Sequence, residues 1–367
     1  MEKKELLLKI KKKFMKRIAD DKKIHNAFLL VHSDKLDINL NIASGNVDNI
    51  HINQPYHIAS IGKLFTSIVI GILYEGGKIS YDDYITKYLS DDIISNLHIY
   101  KGVDYTSKIR IRHLLNHTSG LHDYFEERPK NGKSMIDEIL DNPDKLWSPI
   151  EVINWSKNNF EAHFVPGDGF FYSDTGYHIL GLIIEKITSK SLGDVFKDFI
   201  FEPLEMNQSF LYGYSNPIKP LKVEVAGLYV GDVNVMGYKS LGIDFAGGGI
   251  VSTNTDLLKF MKAIVNKKII SNDTFEKMAD YSKFSIGIDY GYGLMNFTSI
   301  PIVFPKEYMM WGNAGSTGSY MFYNPQLDLY MIGSLNQFRY AQKGIRSLFS
   351  NIRLVSKYRK EKEKRGF

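Results

Sequence analysis

The sequence contains no cysteine, and this absence removes a whole class of chemistry. Without a thiol the chain forms no disulfide, offers no thiolate nucleophile and builds no zinc–thiolate site. The absence is compatible with an oxidising and with a reducing compartment, so it does not fix where the protein works. Any nucleophile that the chain uses must come from another residue type.

No apolar stretch in the sequence is long enough to cross a membrane. The longest apolar runs lie near residues 68–73 and 179–184, far below the ~18 residues that a spanning helix needs. The basic N-terminus is not followed by the uninterrupted apolar segment of a secretory signal. We therefore expect no transmembrane segment and a cytoplasmic protein; the alternative is an extracytoplasmic protein whose leader is missing from this sequence.

Basic charge is concentrated at the two ends of the chain, while the middle is nearly balanced and the formal net charge is +5. This distribution argues against a nucleic-acid groove. The N-terminal segment carries its apolar residues at helical spacing, with lysines on the other face: Leu6, Leu7, Ile10, Phe14 and Ile18. The pattern predicts a helix docked on the core, with a basic helix lying on a membrane surface as the alternative.

Strand and helix patterns divide the 367-residue chain into two kinds of segment. Alternating residues predict a β-hairpin over 27–45, and further strands in "GGGIVST", "YGYGLMNF", "GSYMFYN" and "LDLYMIGSL", before a helix from about Phe338. Three- and four-residue spacing dominates between 81 and 238. We therefore predict an α+β protein: strands from both ends of the chain (1–80 and 239–367) form one antiparallel sheet flanked by helices, with a mostly helical lobe (81–238) inserted.

One serine and one lysine stand at the start of an apolar helix pattern, in "HIASIGKLFTSIVIGILYEGG". Residues i and i+3 share a helix face, so Lys63 can reach Ser60. A serine attacks only when a base takes its proton, and a lysine is a base only when neutral. That requires the Lys63 pKa to fall by roughly 3 units, to which burial and the positive end of the helix dipole contribute.

Ser-x-x-Lys alone is a weak signal, and two further segments strengthen it. "FVPGDGFFYSDTGYHILG" places Tyr172 and Asp174 just before an apolar helix, and "WGNAGSTGSYMFYN" places a Gly-rich turn at Asn313 to Gly318 beside a strand. A tyrosine near a Ser–Lys pair can relay protons, and a glycine beside a strand lets a substrate approach the backbone. Each segment alone is typical of a structural element, whereas the three in this order indicate a catalytic site.

In this combination the chain resembles the serine β-lactamase and penicillin-binding-protein-like superfamily, specifically its class C β-lactamase-related branch. The segments that carry the resemblance span nearly the whole chain: "IASIGKLFTSIVIGILYEGGKISYDDYITKYL", "IRIRHLLNHTSGLHDY", "PGDGFFYSDTGYHILGLIIEKITSKSL", "IFEPLEMNQSF", "AGGGIVSTNTDLLKFMKAI" and "GNAGSTGSYMFYNP". The resemblance implies a single catalytic unit with its site in the cleft between sheet and helical lobe. It implies no cofactor, and a small-molecule ester, amide, lactam or D-peptide substrate; the oligomeric state stays open.

The resemblance also implies roles for individual residues. Ser60 would be the acylated nucleophile, Lys63 its base or proton relay, and Tyr172 the group that passes a proton to the leaving group and later activates water. The backbone amides of Ser60 and Ser316 would form the oxyanion hole. Tyr124, in "HTSGLHDY", would lie on a loop at the cleft edge as a substrate contact.

Two positions depart from the family pattern. Asp174 stands where asparagine is usual, and the Asn313-Ala314-Gly315 triplet stands where the family has Lys-Thr-Gly or His-x-Gly; all four are candidate substrate-binding residues. A neutral amide in place of a cation weakens recognition of a substrate carboxylate. We therefore favour an esterase or amidase of uncharged substrates over a true β-lactamase, with D-alanyl peptidase and weak β-lactamase activity left open. The alternative is a penicillin-binding or ligand-sensing module on the same scaffold with little turnover.

Three histidines cluster in sequence, but their spacing does not indicate a metal site. His113, His117 and His122 lack the His-Glu-x-x-His pattern, and we interpret them as core or loop residues, with no metal expected. The glycine-rich segments lack the Gly-Lys-Ser/Thr of a phosphate loop and are interpreted as close backbone approaches.

Overall fold

A large antiparallel sheet dominates the computed structural model, which describes residues 1–300 and 305–364. The remaining residues, 301–304 and 365–367, belong to the predicted sheet-containing segment and lie outside the described part. The strands, in chain order, are β1 (Asn26–Ser33), β2 (Ile38–Gly45), β3 (Tyr56–His57), β4 (Ile99–Tyr100), β5 (Val103–Asp104), β6 (Phe210–Leu211), β7 (Tyr229–Val230), β8 (Val233–Asn234), β9 (Ile250–Ser252), β10 (Ser282–Ser285), β11 (Ile288–Tyr290), β12 (Met295–Phe297), β13 (Met310–Ala314), β14 (Tyr320–Asn324) and β15 (Leu329–Ser334).

Helices cover both faces of this sheet and fill the middle of the chain. In chain order they are α1 (Lys3–Asp20), α2 (Gly62–Glu75), α3 (Asp91–Ile94), α4 (Ile111–Leu115), α5 (Met135–Asp141), α6 (Pro149–Asn159), α7 (Asp174–Thr188), α8 (Leu192–Phe196), α9 (Phe245–Gly248), α10 (Asn254–Val265), α11 (Asn272–Met278) and α12 (Ala341–Lys364). In the described part of the chain, no helix is long and apolar enough to span a membrane.

The main sheet joins the two ends of the chain. Its strand order is β10-β11-β12-β13-β14-β15-β1-β2, and every neighbouring pair is antiparallel. The N-terminal hairpin therefore adds to six C-terminal strands through the pairing of β1 with β15, where Leu30 lies opposite Ile332. The predicted fold class and the predicted meeting of N- and C-terminal strands are confirmed.

Strand β1 is buried on both faces because helices cover both sides of the sheet. Successive side chains of a strand point to opposite faces. Phe28 and Leu30 accordingly lie in the core shared with α2 and α10, whereas Ala27, Leu29 and Val31 lie in the core shared with α1 and α12. A near-continuous apolar run is the expected sequence of a strand covered in this way.

The N-terminal segment forms the predicted docked helix. In α1, Leu6, Ile10, Phe14 and Ile18 are buried against the sheet and the C-terminal helix, and Leu7 is half-buried. Four apolar residues at three- and four-residue spacing form one stripe, so burial of that stripe fixes the orientation of the helix.

Between residues 81 and 238 the described elements are α3 to α8 and five strands of two residues each. Helices supply most of the regular structure in this segment, accompanied by short strand pairs such as β4 with β5, and its assignment as an inserted helical lobe stays a prediction. The exact boundaries of the two segments stay a prediction.

Helix α7 connects this middle segment to the site because it packs against both α2 and α9. Helices α7 and α9 lie close together at Gly181 of α7. A Cβ at this position would lie 2.5 Å from the Phe245 ring and 2.7 Å from the Ala246 methyl group of α9. Gly176, on the same helix, has room, since its Cβ would lie 3.6 Å from the nearest atom. The α7–α9 contact therefore depends on a missing side chain at one position of α7.

We expect Gly181→Ala to lower the free energy of unfolding by about 1–3 kcal/mol, because the added methyl group forces apart two packed helices. Gly176→Ala is the matched control and should be neutral or stabilising by up to ~1 kcal/mol through helix propensity. Denaturant unfolding of both variants measures the difference. Equal stability of the two variants would contradict the proposed close contact.

Candidate functional site

Ser60 sits in a tight turn that leads directly into helix α2. The turn is a 3₁₀ helix over Ala59–Ile61, and α2 begins at Gly62. Ala59 has a φ of 49°, in the left-handed region that residues with a Cβ adopt at a cost of roughly 1 kcal/mol or more. Backbone strain of this kind is typical of residues next to a nucleophile. Lys63 follows in the first turn of α2, so the predicted i, i+3 placement holds.

The side chain of Lys63 is completely buried and makes three polar contacts. Its Nζ lies 3.4 Å from Ser60 Oγ and donates to the Gly247 carbonyl at 2.9 Å. The third partner is the carboxylate of Asp174, which accepts a short hydrogen bond from the same nitrogen. The ammonium is thus held by α2, α7 and α9 together.

The ion pair reverses the expected direction of the Lys63 pKa. Burial is the largest single influence and lowers this pKa, but Asp174, Tyr290 and Asp123 together raise it by more, and the pKa lies above the ordinary lysine value. The expectation of a lowered pKa was therefore wrong, because it considered burial and the helix dipole without a carboxylate at the nitrogen. At neutral pH the resting site holds an ammonium beside the serine.

Tyr172 lies two residues before α7 and faces the same serine. The Ser60 side chain acts to lower the pKa of the Tyr172 hydroxyl, and the Tyr172 ring centroid lies 4.9 Å from Lys63 Nζ. Burial and the Asp174 carboxylate raise the pKa of Tyr172 well above its ordinary value, so its hydroxyl is protonated at neutral pH. The ring of His117 packs on Tyr172 at 4.3 Å between centroids. The structure thus brings all three predicted catalytic residues together.

Asp174 is the first residue of α7 and is held there by the helix cap. Ser173 caps the helix by accepting from Gly176 N–H, and the Asp174 N–H donates to Asp123 Oδ1 at 3.3 Å. The Asp174 side chain is turned toward Lys63 and is 10% exposed. Its predicted contact with substrate stays a prediction; its contact with the catalytic lysine is what the geometry shows.

Asn313 lies in strand β13 and not in a turn, so the predicted Gly-rich turn begins later in the chain. The side chain is fully buried, and its amide nitrogen donates to Tyr290 Oη at 3.1 Å and to the Gly293 carbonyl at 2.9 Å. Its amide oxygen accepts from Ala314 N–H at 2.7 Å. The polar contacts of Asn313 are therefore inside the protein, and Ala314 ends the strand half-buried beside it.

The segment after β13 runs against the turn that carries the nucleophile. A Cβ on Gly315 would lie 2.7 Å from the Ala59 methyl group and 3.1 Å from Ser60 N, so only a glycine permits this approach. Ser316 is the next residue and lines the same small pocket as Ala59. The placement suits the predicted oxyanion hole, and its use as one stays a prediction.

Tyr124 lies deeper than a residue at a cleft edge. It is 1% exposed, its hydroxyl donates to the Ile243 carbonyl at 3.0 Å, and its backbone N–H donates to Thr175 Oγ1. Its contact with substrate remains a prediction that these hydrogen bonds do not support, because the polar tip already has a partner.

Carboxyl groups near Lys63 are the part of the site that sequence reasoning missed. Burial and the neighbouring Asp174 raise the pKa values of Asp123 and Glu126, and they raise the pKa of Asp244 to about 7. Asp123 stands within "HTSGLHDY" and Asp244 stands two residues before "AGGG", but nothing in either segment indicates a shared site. Acidic side chains near one buried lysine became visible only in the folded chain.

The three clustered histidines are buried, as interpreted from the sequence. Burial lowers the pKa of His113 to about 4 and that of His122 to about 3, and it lowers the pKa of His117 well below the ordinary value. In residues 1–300 and 305–364 no group of His, Asp and Glu side chains is arranged to hold a metal ion.

Solved structures with the same architecture include enzymes and penicillin-binding proteins. The octameric penicillin-binding protein homologue from Pyrococcus abyssi superposes with a TM-score of 0.74, at 26% identity over 93% of this chain and 77% of that one. The D-amino acid amidase from Ochrobactrum anthropi SV3 superposes with a TM-score of 0.73, at 21% identity over 96% of this chain and 98% of that one. The second likeness is one of fold alone.

Sequence comparison leads to the same group. Penicillin-binding protein 4* of Bacillus subtilis (strain 168) is 32% identical over 257 residues, which are 66% of this chain and 52% of that protein. The putative penicillin-binding protein PbpX of the same strain is 25% identical over 66% of this chain and 54% of its own length. The chain spans about half the length of these curated relatives. The family model described as Beta-lactamase matches residues 33–348, and the chain therefore belongs to the Beta-lactamase family.

Proposed function

We propose that this protein is a serine hydrolase that cleaves esters or amides through an acyl-enzyme at Ser60. One observation carries the proposal: the Ser60 hydroxyl lies 3.4 Å from Lys63 Nζ, and the same nitrogen lies 4.9 Å from the centre of the Tyr172 ring. A nucleophile within reach of two proton-transferring groups is the signature of covalent catalysis. Relatives that are named as carboxypeptidases and structural neighbours that are named as amidases support a hydrolytic reaction.

Acylation starts from the minor form of the protein in which Lys63 is neutral: Ser60 Oγ bonds to the carbonyl carbon of the substrate, and its proton passes to Lys63. The carbonyl oxygen becomes an oxyanion that the amides of Ser60 and Ser316 bind. Tyr172 donates its proton to the leaving oxygen or nitrogen as the scissile bond breaks, and Lys63 returns a proton to Tyr172. Water then attacks the acyl ester with the same groups in reverse roles, which releases the acid and restores Ser60.

The preferred substrates carry no carboxylate near the scissile bond. At the position where the family has Lys or His, Asn313 supplies a neutral amide whose contacts are all within the protein. Asp174 and other carboxyl groups stand around Lys63, and they repel a substrate anion. We therefore favour neutral esters and amides over penicillins, whose carboxylate needs a cation.

We expect Ser60→Ala to reduce hydrolysis of p-nitrophenyl esters by at least ~10³-fold, because the nucleophile is lost. The matched control is Ser67→Ala, which removes a buried hydroxyl from helix α2, the helix that follows the Ser60 turn. After treatment with a fluorophosphonate, mass spectrometry of the intact protein should show one adduct in wild type and in Ser67→Ala, and none in Ser60→Ala.

The time course of the adduct separates the proposal from its alternative. An ester substrate that acylates Ser60 and is then released, with repeated product formation, supports a hydrolase. A stable acyl adduct without release would indicate a ligand-sensing module. An adduct on another residue, or full activity of Ser60→Ala, would overturn the assignment of the nucleophile.

We expect Asp174→Asn to move the acidic limb of the kcat/KM profile to lower pH. The ammonium form of Lys63 cannot accept a proton, so activity rises as pH increases through the Lys63 pKa. Asp174 raises that pKa, whereas burial lowers it. Without the carboxylate, burial dominates and the neutral form exists at lower pH.

Asp123→Asn is the graded control, because Asp123 raises the Lys63 pKa less than Asp174 does. This substitution should also move the acidic limb of the kcat/KM profile to lower pH, by a smaller amount than Asp174→Asn does. When the substrate is an uncharged ester, the dependence of kcat/KM on pH reflects the titration of enzyme groups alone. A limb that stays in place in Asp174→Asn, or moves to higher pH, would remove neutral Lys63 from the role of base.

A further inference from the structure

Two helices carry most of the excess positive charge of the chain. Together, α1 and α12 contain 16 of the 46 Lys and Arg residues but only four of the 41 Asp and Glu residues, a net charge of +12. The formal charge of the whole chain is +5, so the rest of the chain carries −7. The acids around Lys63 belong to that negative part. The proposed reaction makes no use of the cations on the two helices.

The fold places these helices side by side on one face of the sheet. Both pack on the core that contains Leu29 of β1, and they contact each other. Lys13 Nζ of α1 donates a 2.7 Å hydrogen bond to Ser350 Oγ of α12. With a rise of 1.5 Å per residue, the helices are roughly 27 Å and 36 Å long. They therefore form one broad surface, while helix α2, which carries Lys63, packs on the opposite face of the sheet.

The outer side of α1 is a row of lysines without ion-pair partners. Lys4, Lys11 and Lys12 share one side of the helix because Lys4 stands seven and eight residues before the other two. All three are exposed. Within the described residues no carboxylate pairs with any of them, whereas Lys9, on the same helix, pairs with Glu5. The charge of this row is therefore not neutralised by the protein itself.

Helix α12 extends the basic surface. Arg346 and Arg353 are exposed and seven residues apart, and in the part of the chain that the structure describes neither pairs with a carboxylate. Burial, Arg17 and Arg353 lower the pKa of Lys13, so cations of the two helices lie close enough to repel one another. A negatively charged partner outside the chain relieves such repulsion.

Two apolar side chains interrupt the lysine row. Leu8 is 49% exposed and Met15 is 44% exposed, and their spacing of seven residues puts both on the side of Lys11 and Lys12. An exposed leucine within a basic row gains free energy when an apolar phase lies beside it. Stacking on nucleic-acid bases needs exposed aromatic rings, but Phe14, the one aromatic residue of α1, is buried. The pattern therefore favours a lipid surface over a nucleic acid.

We propose that the surface formed by α1 and α12 docks the protein on an anionic lipid bilayer. The lysines and arginines bind the lipid phosphates, and Leu8 and Met15 enter between the head groups. This orientation keeps α2, and the Ser60 turn that precedes it, on the side of the sheet away from the lipid. Docking adds to the proposed reaction and does not depend on it.

Vesicle flotation of the whole protein tests this inference. We expect binding to vesicles of equal parts phosphatidylcholine and phosphatidylglycerol, and none to vesicles of phosphatidylcholine alone. Binding should be lost when the salt is raised from about 0.1 M to about 1 M, because the screening length falls from roughly 10 Å to 3 Å. The triple variant Lys4→Glu, Lys11→Glu, Lys12→Glu should bind roughly 100-fold more weakly or worse, at about five-fold for each lysine.

The matched control reverses three lysines elsewhere on the surface. Lys78, Lys108 and Lys277 are exposed, lie outside α1 and α12, and have no ion-pair partner among the described residues. Changing all three to Glu alters the net charge by the same amount and should leave vesicle binding within about two-fold of wild type, because surface attraction acts within a screening length. Circular dichroism of both triple variants verifies that they are folded.

A double variant separates a bilayer from other polyanions. Leu8→Gln with Met15→Gln keeps the net charge and should weaken vesicle binding by about 10-fold, since apolar area is no longer buried in the lipid. Equal binding to neutral and anionic vesicles, or an equal loss in the two triple variants, would overturn the inference. So would tighter binding to a DNA duplex than to the anionic vesicles at the same salt. None of these measurements requires hydrolysis, so they stand apart from the test of Ser60.

Discussion

The buried ion pair between Lys63 and Asp174 is the interaction on which the site depends. It joins the first turn of α2 to the first turn of α7 and holds the lysine nitrogen beside Ser60. A buried charge that loses its partner costs about 3–5 kcal/mol, so each member fixes the other in place. The same pair raises the Lys63 pKa. One contact thus sets both the position of Lys63 Nζ beside Ser60 and the direction of the Lys63 pKa.

The groups that form and surround this ion pair lie on three different helices. Helices α2, α7 and α9 pack together, and α9 supplies the Gly247 carbonyl that accepts from Lys63. Strand β13 brings Gly315 against Ser60, so the oxyanion side is built on the sheet. In that sheet, the pairing of β1 with β15 joins the N-terminal strands to the C-terminal strands. A site assembled on packed helices and strands holds its side chains in a fixed geometry.

Charge balance distinguishes this site from one that binds anions. Around a single buried lysine stand Asp123, Glu126, Asp174 and Asp244, while Asn313 contributes only a neutral amide that is satisfied internally. In a medium of low dielectric such an excess of carboxyl groups favours cations and disfavours carboxylates. We therefore propose that substrate preference follows from the acids around Lys63 more than from Ser60, Lys63 and Tyr172.

What the sequence by itself determined is local. The spacing of Ser60 and Lys63 within one helical turn, the stripe on α1 and the alternation of β1 were readable because they depend on neighbours a few residues away. The resemblance to the family added Tyr172 to the predicted catalytic residues. Only the tertiary structure decided the direction of the Lys63 pKa, since Asp174 lies 111 residues away from Lys63 in the chain. Only the tertiary structure showed that Asn313 lies in strand β13. It also put Asp244 in the pocket beside Ala59. Burial and charge act through space, so their effect on a group is set by packing that no short segment encodes.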